Sequence, residues 1–361
     1  MTNMTSNKPF RVLCIDGGGM RGLYTASVLD TLVKRFHNGK TTDIGSEFDL
    51  IVGTSTGGLL AIGLAYGLST EEIVQLYRTQ GKHIFPNPIP KTGGWKKMLL
   101  WLGARENMAQ KGHEALKKAL ADKFGETTIE QLYAKRDIGI CIPTVRMETR
   151  KAWVFKTPHL AGKTRDNKYK LVDVCLATSA APLILPLVAI ASPDDKERYD
   201  TFTDGGLWAN NPVMIGLIEA LELAHVDSPI QILSVGTAEP PAGRTIAQDN
   251  LNWGVGVEEW KAGVGIVETA IDSQVSGAVF MAAKIQPYLK HSTRIIRLEH
   301  TPPSSEQVNY VALDRADDSA LKALTDMGKS DAEMIHSKCL SHNNGDLAIV
   351  KEIFEQSKPF K

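Results

Sequence analysis

The sequence predicts an α/β protein with a mainly parallel central sheet flanked by helices. Two observations near the start of the chain indicate this fold class. Residues 11–16 form a short β-branched run, followed by a glycine turn and by apolar residues at helical spacing up to Phe36. The same order returns at once, because residues 48–53 have strand character and residues 59–65 continue as a helix. Two successive strand-to-helix units are typical of parallel strands joined by crossover helices.

The rest of the chain extends this pattern. Further strands are predicted near residues 139–145, 152–156, 231–236 and 293–298, with one more ending at Asp204. Helices are predicted near residues 112–124, 171–179, 213–224, 253–285, 313–334 and 346–354. The longest apolar stretch, residues 171–191, contains a charged residue and two prolines, so we expect it to be buried core.

Composition narrows the function classes. The 361 residues include 41 basic and 41 acidic side chains, and 43% are hydrophobic, so no excess of positive charge points to DNA or RNA. The first nine residues lack the apolar run of a signal peptide, and no stretch reaches the ~18 uninterrupted apolar residues of a membrane span. We therefore expect a cytoplasmic protein.

The four cysteines are scattered and form no paired motif for a metal. We expect Cys14, Cys141, Cys175 and Cys339 to be reduced and structural, and we expect neither a metal nor an organic cofactor.

A serine stands at the second strand-to-helix junction. Residues 53–57, Gly-Thr-Ser-Thr-Gly, match the nucleophile-elbow pattern, in which small neighbours allow a strained turn to present Ser55 at the edge of the sheet. The dipole of the following helix also favours negative charge at the serine oxygen. Ser55 is the candidate nucleophile.

A glycine-rich turn follows the first strand. The consecutive residues Gly17, Gly18 and Gly19 allow backbone N–H groups to point into a small cavity that suits an oxyanion. The same turn also satisfies the dinucleotide fingerprint, with Gly22 as its third glycine. Two features disfavour that alternative: Asp16 would face the pyrophosphate, and the second strand ends in the serine motif rather than in a ribose-binding acid.

Asp204 begins an Asp-Gly-Gly turn at the end of an extended run. Alone, this sequence is typical of an ordinary turn. A nucleophilic serine needs a base, however, and an acid at the end of a strand could reach the same edge of the sheet.

Together these segments resemble the patatin-like phospholipase family. The glycine turn of residues 16–22, the serine motif and the Asp-Gly-Gly turn occur in the family's order, and residues 177–182 and 210–212 match further family segments. The resemblance implies a patatin-like three-layer sandwich and a Ser-Asp dyad. In it, Ser55 attacks an ester carbonyl and Asp204 takes its proton and later activates water, while Gly17, Gly18 and Gly19 form the oxyanion hole.

The implied activity is hydrolysis of fatty-acyl esters of phospholipids. The substrate would be a phospholipid membrane surface, with the enzyme peripheral to its inner face. Arg21 has two interpretations, since it could orient a phosphate head group or brace the glycine turn through a salt bridge. The main catalytic alternative is a Ser-His-Asp α/β-hydrolase, for which the late histidines at 291, 300, 336 and 342 are available.

The domain organisation predicted is a catalytic core of residues 8–215 and a C-terminal continuation of the same unit over residues 216–361. Within the core, prolines and glycines interrupt residues 83–105, which we interpret as a lid or insertion. A basic and apolar run inside it could contact a membrane, a second copy in a homo-oligomer, or the core. Its candidate membrane residues are Trp95, Lys96, Lys97, Leu99 and Trp101.

The leading segment, residues 10–25, also resembles bacterial patatin-like effectors of anti-phage defence that cyclic oligonucleotides activate. This similarity implies a cyclic di- or trinucleotide activator. The alternative is a constitutive patatin-like esterase or lipase without nucleotide control.

Overall fold

The computed structural model describes residues 8–90, 94–192, 195–239, 246–248, 254–256, 260, 264–342 and 345–360. Eight strands occur in these residues: β1 Phe10–Ile15, β2 Leu50–Gly53, β3 Gly139–Arg146, β4 Lys151–Lys156, β5 Val188–Ser192, β6 Asp195–Asp204, β7 Ile230–Val235 and β8 Thr293–Arg297. The helices are α1 Gly22–Phe36, α2 Thr56–Tyr66, α3 Thr70–Ile84, α4 Gly94–Phe124, α5 Ile129–Arg136, α6 Leu171–Thr178, α7 Gly206–Ala209, α8 Val213–Leu223, α9 Val264–Ile285, α10 Asp318–Ser341 and α11 Gly345–Gln356.

The strands form one mixed sheet in the order β5-β6-β3-β2-β1-β7-β8, with β4 paired to β3. The five strands from β3 to β8 in this order run parallel, which confirms the predicted fold class. The pairings that β3 makes with β4 and β6, and β5 with β6, are antiparallel. This antiparallel extension was not predicted, because strand direction depends on partners that are distant in sequence.

Strand β3 pairs with both β2 and β6, and this brings the ends of those two strands together. The first residues of β3 pair with β2, whereas Thr144, Val145 and Arg146 pair with the end of β6. Strand β4 pairs with the opposite edge of β3 along residues 141–146. Strands β2 and β6 therefore pair with the same edge of β3, β2 at its beginning and β6 at its end. The end of β6 is thereby brought next to the end of β2.

Helices cover both faces of the sheet. The larger core cluster joins one face to α1, α2, α6 and α10, and the smaller cluster joins the other face to α8 and α9. The four cysteines are free and buried, as predicted. Among the described helices, none combines the length and hydropathy needed to cross a bilayer.

Three helices were missed, namely α3, α5 and the short α7, and α4 is longer than predicted. Helices α3 and α5 begin at capping boxes, Ser69 with Glu72 and Thr128 with Gln131, and this sequence signal could have revealed them. Helix α4 begins at Gly94 rather than near residue 112. The described part of the predicted lid, residues 83–105, therefore consists of the end of α3, a loop and the start of α4. The first residues of the predicted helix 253–285 lie largely outside the described residues, and α9 begins at Val264.

Candidate active site

The turn between β2 and α2 holds Ser55 in a strained conformation. Its backbone angles are φ 55° and ψ −127°, a region that residues with a side chain rarely adopt. The turn is tight, since a Cβ on Gly57 would lie 2.4 Å from the carbonyl oxygen of Asp16, and one on Gly53 would lie 2.1 Å from that of Gly57. The small residues of the motif are therefore required by the close approach of the backbone.

Ser55 contacts Asp204 directly. The Ser55 hydroxyl donates a hydrogen bond of 2.6 Å to Oδ2 of Asp204. The other carboxylate oxygen, Oδ1, accepts a hydrogen bond of 2.6 Å from the backbone N–H of Gly206. Both side chains are buried. This geometry suits proton transfer from the serine to the carboxylate, because donor and acceptor are already within hydrogen-bonding reach.

The environment of Asp204 makes it a stronger base than a free aspartate. Burial raises the pKa of Asp204 to about 6, and the hydrogen bonds from Ser55 and Gly206 only partly oppose this shift. A base with this pKa is ionised at neutral pH and binds a proton more strongly than a solvated carboxylate. The sequence left open how the site would help a weak base, and burial is one contribution.

Thr178 braces the turn. Its hydroxyl accepts a hydrogen bond of 2.9 Å from the backbone N–H of Ser55 and donates one of 2.6 Å to the carbonyl oxygen of Pro143. The carbonyl oxygen of Thr178 also accepts the N–H of Gly205, next to Asp204, at 3.3 Å. Thr178 therefore links both members of the pair. Sequence reasoning did not assign it a role, although it lies within the family-like segment of residues 177–182.

The glycine turn offers two backbone donors rather than three. The N–H of Gly17 donates to the carbonyl oxygen of Asn210 at 2.9 Å, and the Asn210 side chain donates back to the carbonyl oxygen of Gly17 at 3.3 Å. The amide of Gly17 is therefore already paired, which contradicts its predicted place in an oxyanion hole. The amides of Gly18 and Gly19 have no acceptor in the described part of the chain, and both residues line the same cavity as Ser55.

Arg21 is buried in the wall of this cavity. Burial lowers the pKa of its guanidinium, while Glu239 and Asp272 act in the opposite direction through their negative charge. Its Nε has no hydrogen-bond partner among the described residues, so the guanidinium is not locked by a tight salt bridge through that atom. Both interpretations of Arg21 therefore stay open.

The cavity above Ser55 contains about 970 Å³ of space free of protein atoms, open solvent at its mouth included. Asp204, Gly18 and Gly19 line it, and most of the remaining wall is apolar, contributed by α2, α3, α4, α9 and the segment before β5. Its main apolar residues are Leu59, Leu76, Tyr77, Ile84, Phe85, Leu116, Ile184, Leu185, Leu207, Val267, Ile271 and Leu313. A mostly apolar cavity beside a serine suits the hydrocarbon part of a lipid.

Histidine is not among the described residues that line this cavity. Two of the late histidines have contacts elsewhere: His291 lies 3.3 Å from the carbonyl oxygen of Ser228, and His336 packs edge-on against Phe36. The geometry therefore does not favour the Ser-His-Asp alternative.

A group with metal-ligand chemistry lies on the α8 face of the sheet. Cys141, His159 and Glu219 bring their ligand atoms within 4.8 Å of one another. Both carboxylate oxygens of Glu219 are already engaged, one by Lys156 and the other by His159 at 3.0 Å. These contacts form a network in which Glu219 accepts from a lysine and a histidine, and nothing in it touches Ser55.

The predicted membrane residues divide into three groups. The side chains of Trp95 and Lys96 lie outside the described residues. Lys97 and Leu99 are exposed near the start of α4. Trp101, in contrast, is 5% exposed, and its indole N–H donates to the carbonyl oxygen of Asn87 at 3.0 Å. The prediction for Trp101 is therefore wrong in this conformation, because the ring packs inward and satisfies its polar atom within the protein.

The fold and site together define an α/β protein in which a strained strand-to-helix turn presents a serine to a buried aspartate beside an apolar cavity. The family model for patatin-like phospholipases matches residues 13–217, more than half of the chain. The chain therefore belongs to the patatin-like phospholipase family, as its motifs predicted.

Similar proteins extend this relationship beyond the matched region. The cGAMP-activated phospholipase of Pseudomonas aeruginosa is 33% identical, over 91% of this chain and 90% of the relative. The cGAMP-activated phospholipase of Vibrio cholerae is 32% identical, over 88% of this chain and 89% of the relative. Patatin-like protein 4 of Arabidopsis thaliana is 30% identical, but it matches only 57% of this chain and 51% of its own length.

Proposed function

We propose that this protein hydrolyses fatty-acyl esters of membrane phospholipids by a Ser55–Asp204 dyad. The observation that carries the proposal is the 2.6 Å hydrogen bond from the Ser55 hydroxyl to Asp204 at the base of an apolar cavity. No metal or organic cofactor is invoked, because the two side chains and the backbone donors account for each step.

The reaction has two stages. Ser55 Oγ attacks the ester carbonyl carbon while Asp204 takes the hydroxyl proton, and the N–H groups of Gly18 and Gly19 receive the developing oxyanion. The tetrahedral intermediate collapses to an acyl-enzyme, and the proton held by Asp204 passes to the departing alcohol. Asp204 then deprotonates a water molecule that attacks the acyl-enzyme, which releases the fatty acid and restores Ser55.

Site variants test the dyad. We expect Ser55→Ala and Asp204→Asn each to lower kcat/KM for phosphatidylcholine vesicles by at least about a thousandfold. Two exposed positions serve as matched controls, Ser276→Ala on α9 and Asp326→Asn on α10, and both should retain the wild-type rate. A Ser55→Ala protein that released fatty acid at the wild-type rate would exclude the dyad.

The second part of the proposal concerns regulation. Two relatives that align over about nine-tenths of their length carry the name cGAMP-activated phospholipase, which supports a cyclic di- or trinucleotide activator for this chain. Such an activator fits a role in bacterial anti-phage defence.

The alternative is constitutive hydrolysis. Fatty-acid release with and without cGAMP and cyclic trinucleotides decides between them: activation should raise the rate, whereas an equal basal rate supports the constitutive enzyme. Size-exclusion chromatography under both conditions tests whether the protein forms a homo-oligomer.

The start of α4 is the proposed membrane contact. Leu99 and Leu100 are 56% and 75% exposed there, next to the exposed Lys97. Exposed leucines and a lysine on one helix turn suit insertion at the headgroup level, which would make a cytoplasmic enzyme peripheral to the inner face of the membrane. A Leu99→Asp/Leu100→Asp double variant should lose co-sedimentation with anionic vesicles. The matched control is Leu340→Asp on α10, which is also exposed, and unchanged co-sedimentation of the double variant would refute this contact.

A further inference from the structure

A second cavity adjoins the catalytic one. It lies between α2, α3 and α4, and the space free of protein atoms within its lining, open solvent included, is about 310 Å³. Three residues line both cavities and form the wall between them, namely Leu59, Leu76 and Tyr77. The remaining lining residues of the second cavity are Leu60, Leu68, Ile73, Leu120, Lys123 and Phe124.

The position of the second cavity follows from the helices. Ser55 caps the start of α2, so Leu59 and Leu60 lie about 6 and 7.5 Å further along the helix axis. On α4, Leu116 lines the catalytic cavity, whereas Leu120 and Phe124 line the second one. These three positions follow one another at intervals of four residues and therefore share one helix face. The lining residues of α2 and those of α4 therefore extend from the side of the nucleophile to the second cavity.

The shared wall has a fixed part and an adjustable part. Tyr77 is buried, and its hydroxyl donates to the carbonyl oxygen of Thr56 at 3.3 Å, which holds the ring in place. Leu59 and Leu76 are only half-buried and have no polar atoms to restrain them. A change of leucine rotamer can therefore open the wall without breaking a hydrogen bond.

The side chains that line the second cavity favour a hydrocarbon as its ligand. Apart from Tyr77 and Lys123, its lining among the described residues consists of aliphatic and phenyl side chains. The Lys123 ammonium pairs with Glu72 at 3.2 Å and its side chain is about one-third exposed, so the charge lies at the outer end. Cavities lined in this way do not hold water well but do accept apolar groups.

We propose that the second cavity receives the distal methylenes of a long acyl chain, with Leu59 and Leu76 as the residues that set the preferred chain length. The inference rests on the proposed acyl hydrolase function and adds a substrate preference to it. A short acyl chain would fill only the catalytic cavity, whereas a long chain would displace the two leucines and continue along α2 and α4. Each further buried methylene is expected to favour the substrate about fourfold.

The test measures kcat/KM of the purified full chain for p-nitrophenyl esters with 4, 8, 12 and 16 acyl carbons, with and without cGAMP. We expect the wild-type value to rise toward the longer chains. Leu76→Trp, which fills the passage, should lower the ratio of the 16-carbon to the 4-carbon value at least about tenfold, because several methylenes lose their site. Leu76→Ala, which widens the passage, should raise that ratio.

Leu340→Trp on the exposed face of α10 is the matched control, since Leu340 is 58% exposed and lines neither cavity. It should leave the chain-length ratio at the wild-type value. If Leu76→Trp does not fold, Leu76→Ala still tests the inference, because it should raise the ratio of the 16-carbon to the 4-carbon kcat/KM.

The two possible failures are distinguishable. If the wild type cleaves esters but both substitutions at Leu76 leave the chain-length ratio unchanged, this inference is overturned and the proposed function stands. If the wild type cleaves no ester above the Ser55→Ala background under either condition, the proposed function fails and the inference fails with it.

Discussion

Asp16 in the glycine turn and Arg297 at the end of β8 form a two-point ion pair across 281 residues of sequence. Arg297 Nη1 lies 2.9 Å from Asp16 Oδ1, and Nη2 lies 2.6 Å from Oδ2. Asp16 is fully buried, whereas the Arg297 side chain is 24% exposed. Burial raises the pKa of Asp16 to about 6, although the charge of Arg297 and its hydrogen bonds oppose the shift. The last strand of the sheet thereby anchors the turn beside the nucleophile.

Removal of Arg297 should destabilise the protein strongly. Arg297→Ala leaves a buried carboxylate without its partner, and we expect the free energy of unfolding in urea to fall by about 3 kcal/mol. The neighbouring Arg294 provides the control, because its ion pair with Asp346 is long and exposed, and Arg294→Ala should cost less than about 1 kcal/mol. Equal stability of the two variants would mean that the buried pair contributes no more than a surface pair.

The rate of ester hydrolysis should depend on pH through Asp204. Its carboxylate must be ionised to accept the Ser55 proton, and burial raises its pKa to about 6. Activity is therefore present above pH 6 and lost as the pH falls through 6, with log kcat/KM declining by about one per pH unit below it. A free aspartate would stay active to about pH 4.

The measurement is initial rate against pH from 4.5 to 8.5 on a soluble ester. Because the pKa of Asp16 is also raised to about 6, circular dichroism at each pH must show that the fold is intact. A profile that stays flat down to pH 4.5 would rule out a buried Asp204 base.

The same raised pKa implies that Asp204 destabilises the folded protein at neutral pH. Between about pH 4 and pH 6 the folded state holds a proton that the unfolded state has released, so stability falls as the pH rises through this window. Asp204→Asn removes the charge, and its free energy of unfolding at pH 8 should exceed that of the wild type by an amount on the order of 2 kcal/mol.

This gain should shrink toward zero near pH 4, where the wild-type carboxyl is protonated in both states. Urea denaturation at pH 4.5 and pH 8 measures the two differences. Asp326→Asn, at an exposed position of α10, should show no such dependence on pH. A destabilised Asp204→Asn at pH 8 would contradict the burial cost assigned to the base.

The sequence predicted those parts of the site that depend on local chain geometry. Ser55 could be recognised because the small residues around it are required within one turn, and Asp204 because a strand end and a glycine pair mark it. Thr178 and Arg297 could not be recognised, since their roles depend on which strands become neighbours: β6 beyond β2, and β8 beside β7. No spacing in the sequence encodes that order.

The same limitation applies to the paired amide of Gly17 and to the inward position of Trp101. Three consecutive glycines predict flexible backbone donors, but the structure pairs the first of them with the carbonyl oxygen of Asn210. A tryptophan beside lysines predicts an interface, but the carbonyl oxygen of Asn87 accepts its indole N–H inside the protein. In both cases a distant acceptor determines the outcome, and only tertiary structure reveals it.

Gly57 provides a test of how tightly the serine turn is built. A Cβ at this position would lie 2.4 Å from the carbonyl oxygen of Asp16 and 2.5 Å from that of Ile15. These are backbone atoms of β1 and the glycine turn, which cannot move without breaking the pairing of β1 with β2 and β7. We expect Gly57→Ala to lower the melting temperature strongly or to prevent folding, through overpacking that costs about 3 kcal/mol or more.

Gly103 is the matched glycine, since it lies within α4 with no atom within 4 Å of an added Cβ. Gly103→Ala should raise the free energy of unfolding by about 0.5–1 kcal/mol, because alanine favours the helix. Opposite shifts of the two melting temperatures are therefore expected from the same chemical change. If Gly57→Ala melts at the wild-type temperature, the strand-to-helix turn has room for a side chain, and the strain of Ser55 must have another cause than this close packing.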